Sequence, residues 1–282
     1  MNNDFSVVKE KVKLIKDKAK MSRLNTIDLI SKAKSGHYGS SFSSSEIFAT
    51  LYYHVLNYDS KNPDWSDRDR FVMGKGHAAV GVYPILADVG FFPKEELETY
   101  TQLGSPFGDH PDMNKINGID FSSGSIGHGL SVGVGMSLGA RLDEKGYRTY
   151  ILMGDGELQE GQVWEAAMSA SKFKLGNLIA IVDNNKVTVD GFTEELMNVN
   201  PIKEKWESFG WNVIHVDGHD VEELIDIFDN LPSTDSEKPT AIICNTIPGK
   251  GVSFMENGYE WHVANLGEGD IEKAIEEIKG GN

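Results

Sequence analysis

Four short apolar runs lie in the second half of the chain, and segments with helical periodicity separate them. The runs cover residues 150–153, 178–182, 212–216 and 239–247, and each has the length of a buried strand. Between the first two runs, apolar residues at 163–170 recur at three- to four-residue spacing, which predicts a helix. A strand–helix–strand unit of this kind is almost always right-handed with parallel strands. The pattern therefore predicts an α/β fold in which helices flank a parallel sheet.

Further helices are predicted outside this unit. Amphipathic or small-residue patterns indicate one or two helices across residues 5–34, a short surface helix at 93–102 and a closely packed helix at 130–142. Another helix is predicted to begin near Ser43, and Glu46 stands three residues later, which is the spacing of a capping box.

Composition narrows the class of protein. The 282 residues are 39% hydrophobic and 25% charged, without linker-like segments, and we expect one domain across residues 1–282. The net charge of −16 argues against nucleic-acid binding, and no apolar stretch approaches the ~20 residues that cross a membrane. The N-terminus lacks the apolar centre of a signal peptide, so a cytoplasmic location is expected. The single cysteine, Cys244, lies in an apolar run and is interpreted as a buried small residue rather than a nucleophile.

Two polar turns follow neighbouring predicted strands. Asp155 stands in a Gly-Asp-Gly turn after the first run, and Asn185 follows the second run 30 residues later. The carboxyl ends of parallel strands share one edge of a sheet, which is where such sheets place ligands. Asp155, Asn185 and the backbone carbonyl of Val187 offer the hard oxygen ligands that suit Mg²⁺ together with phosphate. Each turn alone is also typical of an ordinary loop, but their combination favours a metal-bridged diphosphate site.

The two turns also carry a family resemblance. The segment GDGELQEG at 154–161, followed by DNN at 183–185, resembles the thiamine diphosphate motif of the transketolase family. The resemblance implies that Asp155, Asn185 and the Val187 carbonyl hold the metal, which would be Mg²⁺ or else Ca²⁺ or Mn²⁺. It implies that Gly156 lies against the diphosphate. Two further acids of the motif are also predicted to bind the cofactor. These are Glu157 and Glu160, the latter matching an acid near the subunit interface.

Four histidines stand in turns that resemble those of the same family. They occur in SGH at 35–37, GKGH at 74–77, GDHP at 108–111 and WH at 261–262. The resemblance implies that these side chains bind sugar hydroxyls or the diphosphate and move protons, a task suited to imidazole because it titrates near neutral pH. The predicted catalytic residues are His37, His77, His110 and His262.

Further positions are placed at the cofactor by the resemblance. They are Ser40, Lys75, His77, Gly124, Ser125, Ile126 and Lys250. The segment from Gly124 to Ile126 matches the part under the cofactor rings, and Lys75 adds a positive charge at the predicted anion site. Pro248 stands where close relatives have a lysine, and Lys250 is the candidate to replace it.

The resemblance spans nearly the whole chain but only the first part of a typical transketolase. No stretch matches the family's domain that grips the aminopyrimidine ring and carries the activating glutamate. We therefore expect a separately encoded C-terminal subunit that supplies both, in an α2β2 assembly.

The activity implied by the resemblance is ketol transfer. A two-carbon glycolaldehyde unit moves from a ketose, phosphorylated or otherwise anionic, to an aldose, with the thiazolium ring of thiamine diphosphate as the electron sink. Phosphate, sulfonate and neutral ketoses all remain open as substrates. Alternative interpretations are a subunit of a 2-oxoacid dehydrogenase or of a deoxyxylulose-phosphate-type synthase, or a non-catalytic cofactor-binding subunit.

Overall fold

The computed structural model describes residues 2–281, and the side chains of residues 7–281. The helices are α1 (Asn2–Ala33), α2 (Tyr38–Ser43), α3 (Ser45–Thr50), α4 (Ala79–Asp88), α5 (Gly129–Leu142), α6 (Gly161–Lys172), α7 (Thr193–Leu196), α8 (Ile202–Ser208), α9 (Val221–Asp229) and α10 (Glu268–Gly280). The strands are β1 (Arg70–Met73), β2 (Thr149–Gly154), β3 (Leu178–Asn184), β4 (Asn212–Asp217) and β5 (Thr240–Asn245).

The five strands form one sheet in the order β1-β2-β3-β5-β4, and every neighbouring pair is parallel. All four apolar runs of the sequence become strands of this sheet. The predicted α/β fold with a parallel sheet and flanking helices is confirmed.

Apolar side chains on both faces of the sheet explain why the runs are continuous rather than alternating. In β2, Tyr150 and Leu152 pack into one buried cluster, whereas Ile151 and Met153 pack into another. The first cluster is closed by α1, α3, α4, α9 and α10, and the second by α5, α6 and α8. A strand covered on both faces buries every side chain, so its sequence reads as unbroken apolar.

The helices that connect the strands fix where the polar loops gather. On one face lie α5, the second helix between β1 and β2, and α6, between β2 and β3. On the other face lie α4, the first helix between β1 and β2, and α9, between β4 and β5. Crossovers of this kind leave a crevice at the carboxyl edge of the strands. The loops after β1, β2, β3 and β5 all open at that edge.

The predicted capping box at Glu46 is wrong. Two helices replace the one expected near Ser43, and Ser44 precedes the second without a side-chain cap. The Glu46 carboxylate instead accepts hydrogen bonds from the buried Arg23 guanidinium at 2.5 and 2.6 Å and lies 2.8 Å from His219 Nδ1. A buried guanidinium requires a charged partner, and this need outweighs the small gain from a local cap.

Four smaller outcomes concern individual helices and one strand residue. Residues 5–34 lie almost wholly in the single helix α1, and the helix expected at 93–102 is a short 3₁₀ segment at Lys94–Thr99. Cys244 is fully buried in β5, as predicted. Among the helices of residues 2–281, none has the length and apolar character to cross a membrane.

Candidate active site

A pocket of about 690 Å³ opens at the carboxyl edge of the sheet. Most of the predicted site residues line it: His37, Lys75, His77, His110, Gly124, Ser125, Ile126, Asp155, Gly156, Glu157, Asn185, Val187 and His262. Backbone contacts close one wall, because Gly36 accepts a hydrogen bond from Ala264 at 3.1 Å and Gly39 accepts one from Gly249 at 3.2 Å. The segment that follows β5 is thereby tied to the turn that carries His37.

Asp155 lies at the floor of the pocket, just after β2. Its amide donates to the Asp183 carbonyl at 3.2 Å, and its Oδ2 accepts a hydrogen bond from Thr193 at 2.9 Å. Its Oδ1 is buried and has no hydrogen-bond partner within residues 2–281. Burial raises the pKa of the Asp155 carboxyl to about 7. A buried carboxylate oxygen without a partner is rare, and it fits a position that a cation fills.

Asn185 and Val187 lie beside Asp155 in the turn after β3. Asn185 Nδ2 donates to Ser43 Oγ and to Asp183 Oδ2, both at 3.2 Å, which orients the amide so that Oδ1 accepts from the Val187 amide at 3.1 Å. The carboxylate and the amide oxygen that the sequence predicts as metal ligands are thus brought to one place. A divalent ion there would have a single charged protein ligand, and in the described part of the chain no group of three or more His, Cys, Asp or Glu side chains is arranged to hold a metal.

A buried ion pair holds this floor in place. Lys75 Nζ donates to Asp183 Oδ2, and also to the Ser40 carbonyl and Ser44 Oγ at 3.0 Å each. Burial alone would raise the pKa of Asp183, but Lys75 and the surrounding hydroxyl donors hold it below the ordinary value. An ammonium group has three protons. The free positive charge expected at Lys75 is therefore neutralised by Asp183, and each of its protons has an acceptor.

Glu157 joins the loop before α5 to the end of β2. Its carboxylate accepts the amide of Gly127 at 2.9 Å and the amide of Gly154 at 3.3 Å. Burial raises the pKa of Glu157 to about 7. Gly74 lies close to this group, because an added Cβ there would lie 2.4 Å from Glu157 Oε1 and the carboxylate would have to move.

The four predicted histidines form one cluster above the floor. The His37 ring lies 5.0 Å from the ring of His77, 6.1 Å from that of His110 and 5.6 Å from that of His262, centroid to centroid. Burial, followed by the neighbouring Lys75 charge, holds the pKa of His77 well below its ordinary value. Burial and the His37 ring lower the pKa of His262 to about 4. Both of these imidazoles are therefore neutral at pH 7.

His262 also resembles Asp155 in having an unpaired atom. Its Nδ1 is buried and lacks a hydrogen-bond partner in the part of the chain that the structure describes. The pocket thus presents an unpaired acceptor oxygen on its floor and an unpaired ring nitrogen above it. Unpaired buried polar atoms on residues that line one cavity fit a polar ligand that supplies their partners.

Comparisons with known proteins agree with this geometry. A sequence profile described as "Transketolase, thiamine diphosphate binding domain" matches residues 15–280. An apulose-4-phosphate transketolase subunit from Phocaeicola vulgatus is 38% identical over 95% of this chain and 94% of that protein. The "6-deoxy-6-sulfo-D-fructose transketolase subunit SqwG" of Clostridium sp. is 39% identical over 94% of this chain and 96% of that protein. This chain belongs to the transketolase family.

Transketolases that consist of a single long chain match this protein over less than half of their length. The crystal structure of transketolase from Campylobacter jejuni superposes with a TM-score of 0.88 at 32% identity, covering 95% of this chain and 43% of that one. Human transketolase is 38% identical over 95% of this chain and 42% of its own length. The chain therefore spans less than half of these single-chain transketolases and nearly all of the two subunit relatives.

Three positions that the family resemblance assigned to the cofactor lie outside the pocket lining. Ser40 is fully buried, and its carbonyl holds Lys75. Glu160 is exposed at the start of α6, beside the pocket residue Gln159. Lys250 lies 3.6 Å from Glu256 in a separate depression with Lys16, Lys20 and Arg23, because the loop reverses at Gly249 and Gly251 with φ values of +73° and +92°. Their roles at the cofactor stay predictions.

Other residues of the site were missed from the sequence. Asp183 holds the floor, Thr193 orients Asp155, and Asp109 contacts the histidine cluster. The pocket is completed by Gln159, Thr188, Val189, Asp190 and Leu196. Of these residues, only Asp183 could have been recognised from the sequence. It directly follows a continuous apolar run, and an acid is unusual at the end of a strand buried on both faces.

Proposed function

We propose that residues 1–282 form the N-terminal, diphosphate-binding subunit of a two-subunit, thiamine diphosphate-dependent transketolase. The observation that carries this proposal is the meeting of Asp155, Asn185 and Val187 with the four-histidine cluster in one pocket. One sheet whose two faces are both covered supports a single domain across the chain. Met1 and Asn282 belong to that proposed domain and lie outside the described residues.

The donor set fits a divalent cation and a diphosphate. Asp155 Oδ1, Asn185 Oδ1 and the Val187 carbonyl are hard oxygen donors, which suit Mg²⁺ and accept Ca²⁺ or Mn²⁺ as well. The partner-free, buried state of Asp155 Oδ1 supports this assignment. Gly156 lies close to the loop after β3, because an added Cβ would lie 2.8 Å from Thr188 Cγ2 and the threonine side chain would have to shift.

When bound, thiamine diphosphate supplies the carbon nucleophile and the electron sink of ketol transfer. The residues of this chain orient the sugar and handle its protons. Neutral His77 and His262 each offer one N–H donor and one acceptor nitrogen, so each can bind a hydroxyl in either direction. His110 lies at the exposed rim, where it would meet the donor sugar. The segment Gly124–Ile126 borders the same opening, beneath the proposed ring position.

The relatives support a second polypeptide. Both bacterial proteins quoted above are named as transketolase subunits, and this chain covers them almost completely. The partner would provide the aminopyrimidine-binding domain and the activating glutamate, in an α2β2 assembly in the cytoplasm. Exposed Glu160, next to the pocket mouth, is the residue of this chain that we place at that interface.

The substrate is proposed to be an anionic ketose. The two relatives are named for a sugar phosphate and for a sulfonated sugar. This chain has a net charge of −16 and neutralises Lys75 internally. The groups that bind the anionic end of the sugar are therefore assigned to the partner subunit.

Reconstitution tests the proposal. A tagged full chain purified from its native organism should retain a second polypeptide with a pyrimidine-binding transketolase domain. The complex, supplied with thiamine diphosphate and Mg²⁺, should transfer two carbons from 6-deoxy-6-sulfofructose or xylulose 5-phosphate to an aldose, and should leave pyruvate unchanged. Turnover of pyruvate in place of ketoses, or full ketol transfer by the isolated chain, would contradict the proposal.

A further inference from the structure

Asp109 is a charged residue at the histidine cluster for which the sequence suggested no role. Its Oδ2 lies 3.1 Å from His37 Nδ1, and its Oδ1 lies 3.3 Å from the same nitrogen. The Tyr100 hydroxyl donates to Oδ1 at 3.0 Å. The carboxylate is thus held between a phenol and an imidazole.

The backbone around Asp109 is anchored on both sides of the loop. The Tyr83 hydroxyl donates to the Gly108 carbonyl at 3.0 Å, and the Thr101 amide donates to the Phe107 carbonyl at 2.8 Å. Phe107 is buried against Tyr83 and Phe92. The position of the carboxylate is therefore set by the core rather than by solvent.

The contact defines which nitrogen of His37 carries the proton. Burial would raise the pKa of Asp109, but His37 and then the Tyr100 hydroxyl hold it below its ordinary value, so the carboxyl is ionised and can only accept. His37 Nδ1 must then be the donor, so a ring with a single proton carries it on Nδ1 and has its acceptor at Nε2. Within residues 2–281, Nε2 makes no hydrogen bond, and the ring lines the pocket.

His110 is the other histidine near this carboxylate, and it is a weaker partner. Its Nδ1 lies 3.9 Å from Asp109 Oδ2, which exceeds hydrogen-bond length. His37 is also the ring that neighbours all three others in the cluster. The fixed tautomer therefore belongs to the central histidine.

We propose that Asp109 is a positioning residue that locks His37 with its proton on Nδ1, so that Nε2 accepts a hydrogen bond from a substrate hydroxyl. The tautomer is a property of this chain alone, whereas the substrate step rests on the proposed function. Outer partners that orient a metal-ligating histidine typically contribute about 10- to 100-fold to metal affinity or activity, and we expect a similar effect on activity here.

The tautomer can be read directly by nitrogen NMR. Full-length chain with ¹⁵N-labelled histidine, without cofactor, should show His37 protonated on Nδ1 and bare at Nε2, with the signals assigned through His37→Gln. Asp109→Leu should move the proton of His37 to Nε2, because the acceptor is lost. The matched control, Glu98→Gln, removes an exposed carboxylate of a neighbouring turn and should leave the His37 signals unchanged. A His37 ring that is protonated on Nε2 in the wild type, or is unaltered in Asp109→Leu, overturns the proposal.

Kinetics of the two-subunit complex provide the second readout. Asp109→Asn keeps the size of the side chain and should lower kcat by about 10- to 100-fold with little change in KM or in thiamine diphosphate affinity. Tyr100→Phe, which removes only the phenolic hydrogen bond, should have a smaller effect in the same direction. An unchanged kcat in Asp109→Asn, or an equal loss of cofactor affinity, contradicts the proposal. If the wild-type complex showed no ketol transfer, the proposed function would be contradicted. The NMR measurement would still test the tautomer of His37, because it does not depend on activity.

Discussion

Asp155 and Asp183 are two buried acids at the carboxyl ends of neighbouring strands, and they have opposite environments. Both are almost fully buried, at 1% and 0% exposure. Asp183 pairs with Lys75 and accepts from Ser43 and from Thr246, and its pKa is lowered despite burial. Asp155 has a single side-chain donor and one oxygen without a partner within residues 2–281, and burial raises its pKa to about 7.

The difference shows that the partners of a buried carboxyl, rather than its depth, set its pKa. A buried charge is tolerated when a counter-charge and hydrogen bonds replace its water. Asp183 has this compensation within the chain. Asp155 lacks it, and a bound cation would supply it. This contrast leads to three predictions, given from the largest expected effect to the smallest.

Asp183→Asn should destabilise the fold strongly. The substitution leaves the Lys75 ammonium fully buried without its counter-charge, and breaking such a pair costs about 3–5 kcal/mol. Urea unfolding of the metal-free chain, followed by circular dichroism, measures the change. Asp28→Asn, which removes an exposed carboxylate beside Lys32, is the control and should change stability little. A loss below about 1 kcal/mol for Asp183→Asn would contradict the structural role.

Asp155→Asn should have the opposite pattern of effects. It should leave the stability of the fold intact and weaken the binding of Mg²⁺ and thiamine diphosphate. Without metal, the stability at pH 7.5 should be unchanged or higher, because an uncompensated buried charge is removed. Calorimetric titration with Mg²⁺ and thiamine diphosphate should show affinity reduced by at least about 100-fold, since even outer partners of metal ligands contribute 10- to 100-fold.

Two threonines sharpen this second test. Thr193→Val removes the hydroxyl that orients Asp155 and should weaken binding by about 10-fold. Thr240→Val removes a buried hydroxyl that has no hydrogen-bond partner in the described chain, and binding should stay at the wild-type level. Equal binding by the wild type and Asp155→Asn would remove the basis for a cation on the floor.

His262 extends the contrast to a base. Its pKa falls from 6.5 in the unfolded chain to about 4 in the folded one, chiefly through burial. The folded state therefore binds fewer protons between these values, and stability present above pH 6.5 is lost as the pH falls toward 4. Between pH 7.5 and pH 5 the loss from this residue should be about 2 kcal/mol. Urea unfolding of His262→Asn should show a correspondingly smaller fall, and an unaltered pH slope would refute the assignment.

The sequence predicted the sheet well because burial on both faces leaves a continuous apolar pattern. The runs that became β2, β3, β4 and β5 match the strands within two residues at each end. The meeting of Asp155 with Asn185 also follows from parallel topology alone. Helix ends were harder to predict, because ion pairs between distant residues compete with local capping. The capping box predicted at Glu46 failed for this reason.

Contacts between side chains that are distant in sequence could not be predicted from the hydrophobic pattern. Lys75 and Asp183 lie 108 residues apart, and only the folded sheet brings them together. The resemblance placed Lys75 at an anion, whereas the structure pairs it with an acid. The direction of Lys250 depends on two left-handed glycines in a loop, a feature that periodicity does not encode.

The hydrogen bond between Gly36 and Ala264 has a consequence for biosynthesis. All five strands have been translated once Asn245 leaves the ribosome, yet the wall that carries His262 can dock only later. The nascent polypeptide thus passes through a stage in which all five strands are present, whereas α10 and the wall of the cleft that carries His262 are not.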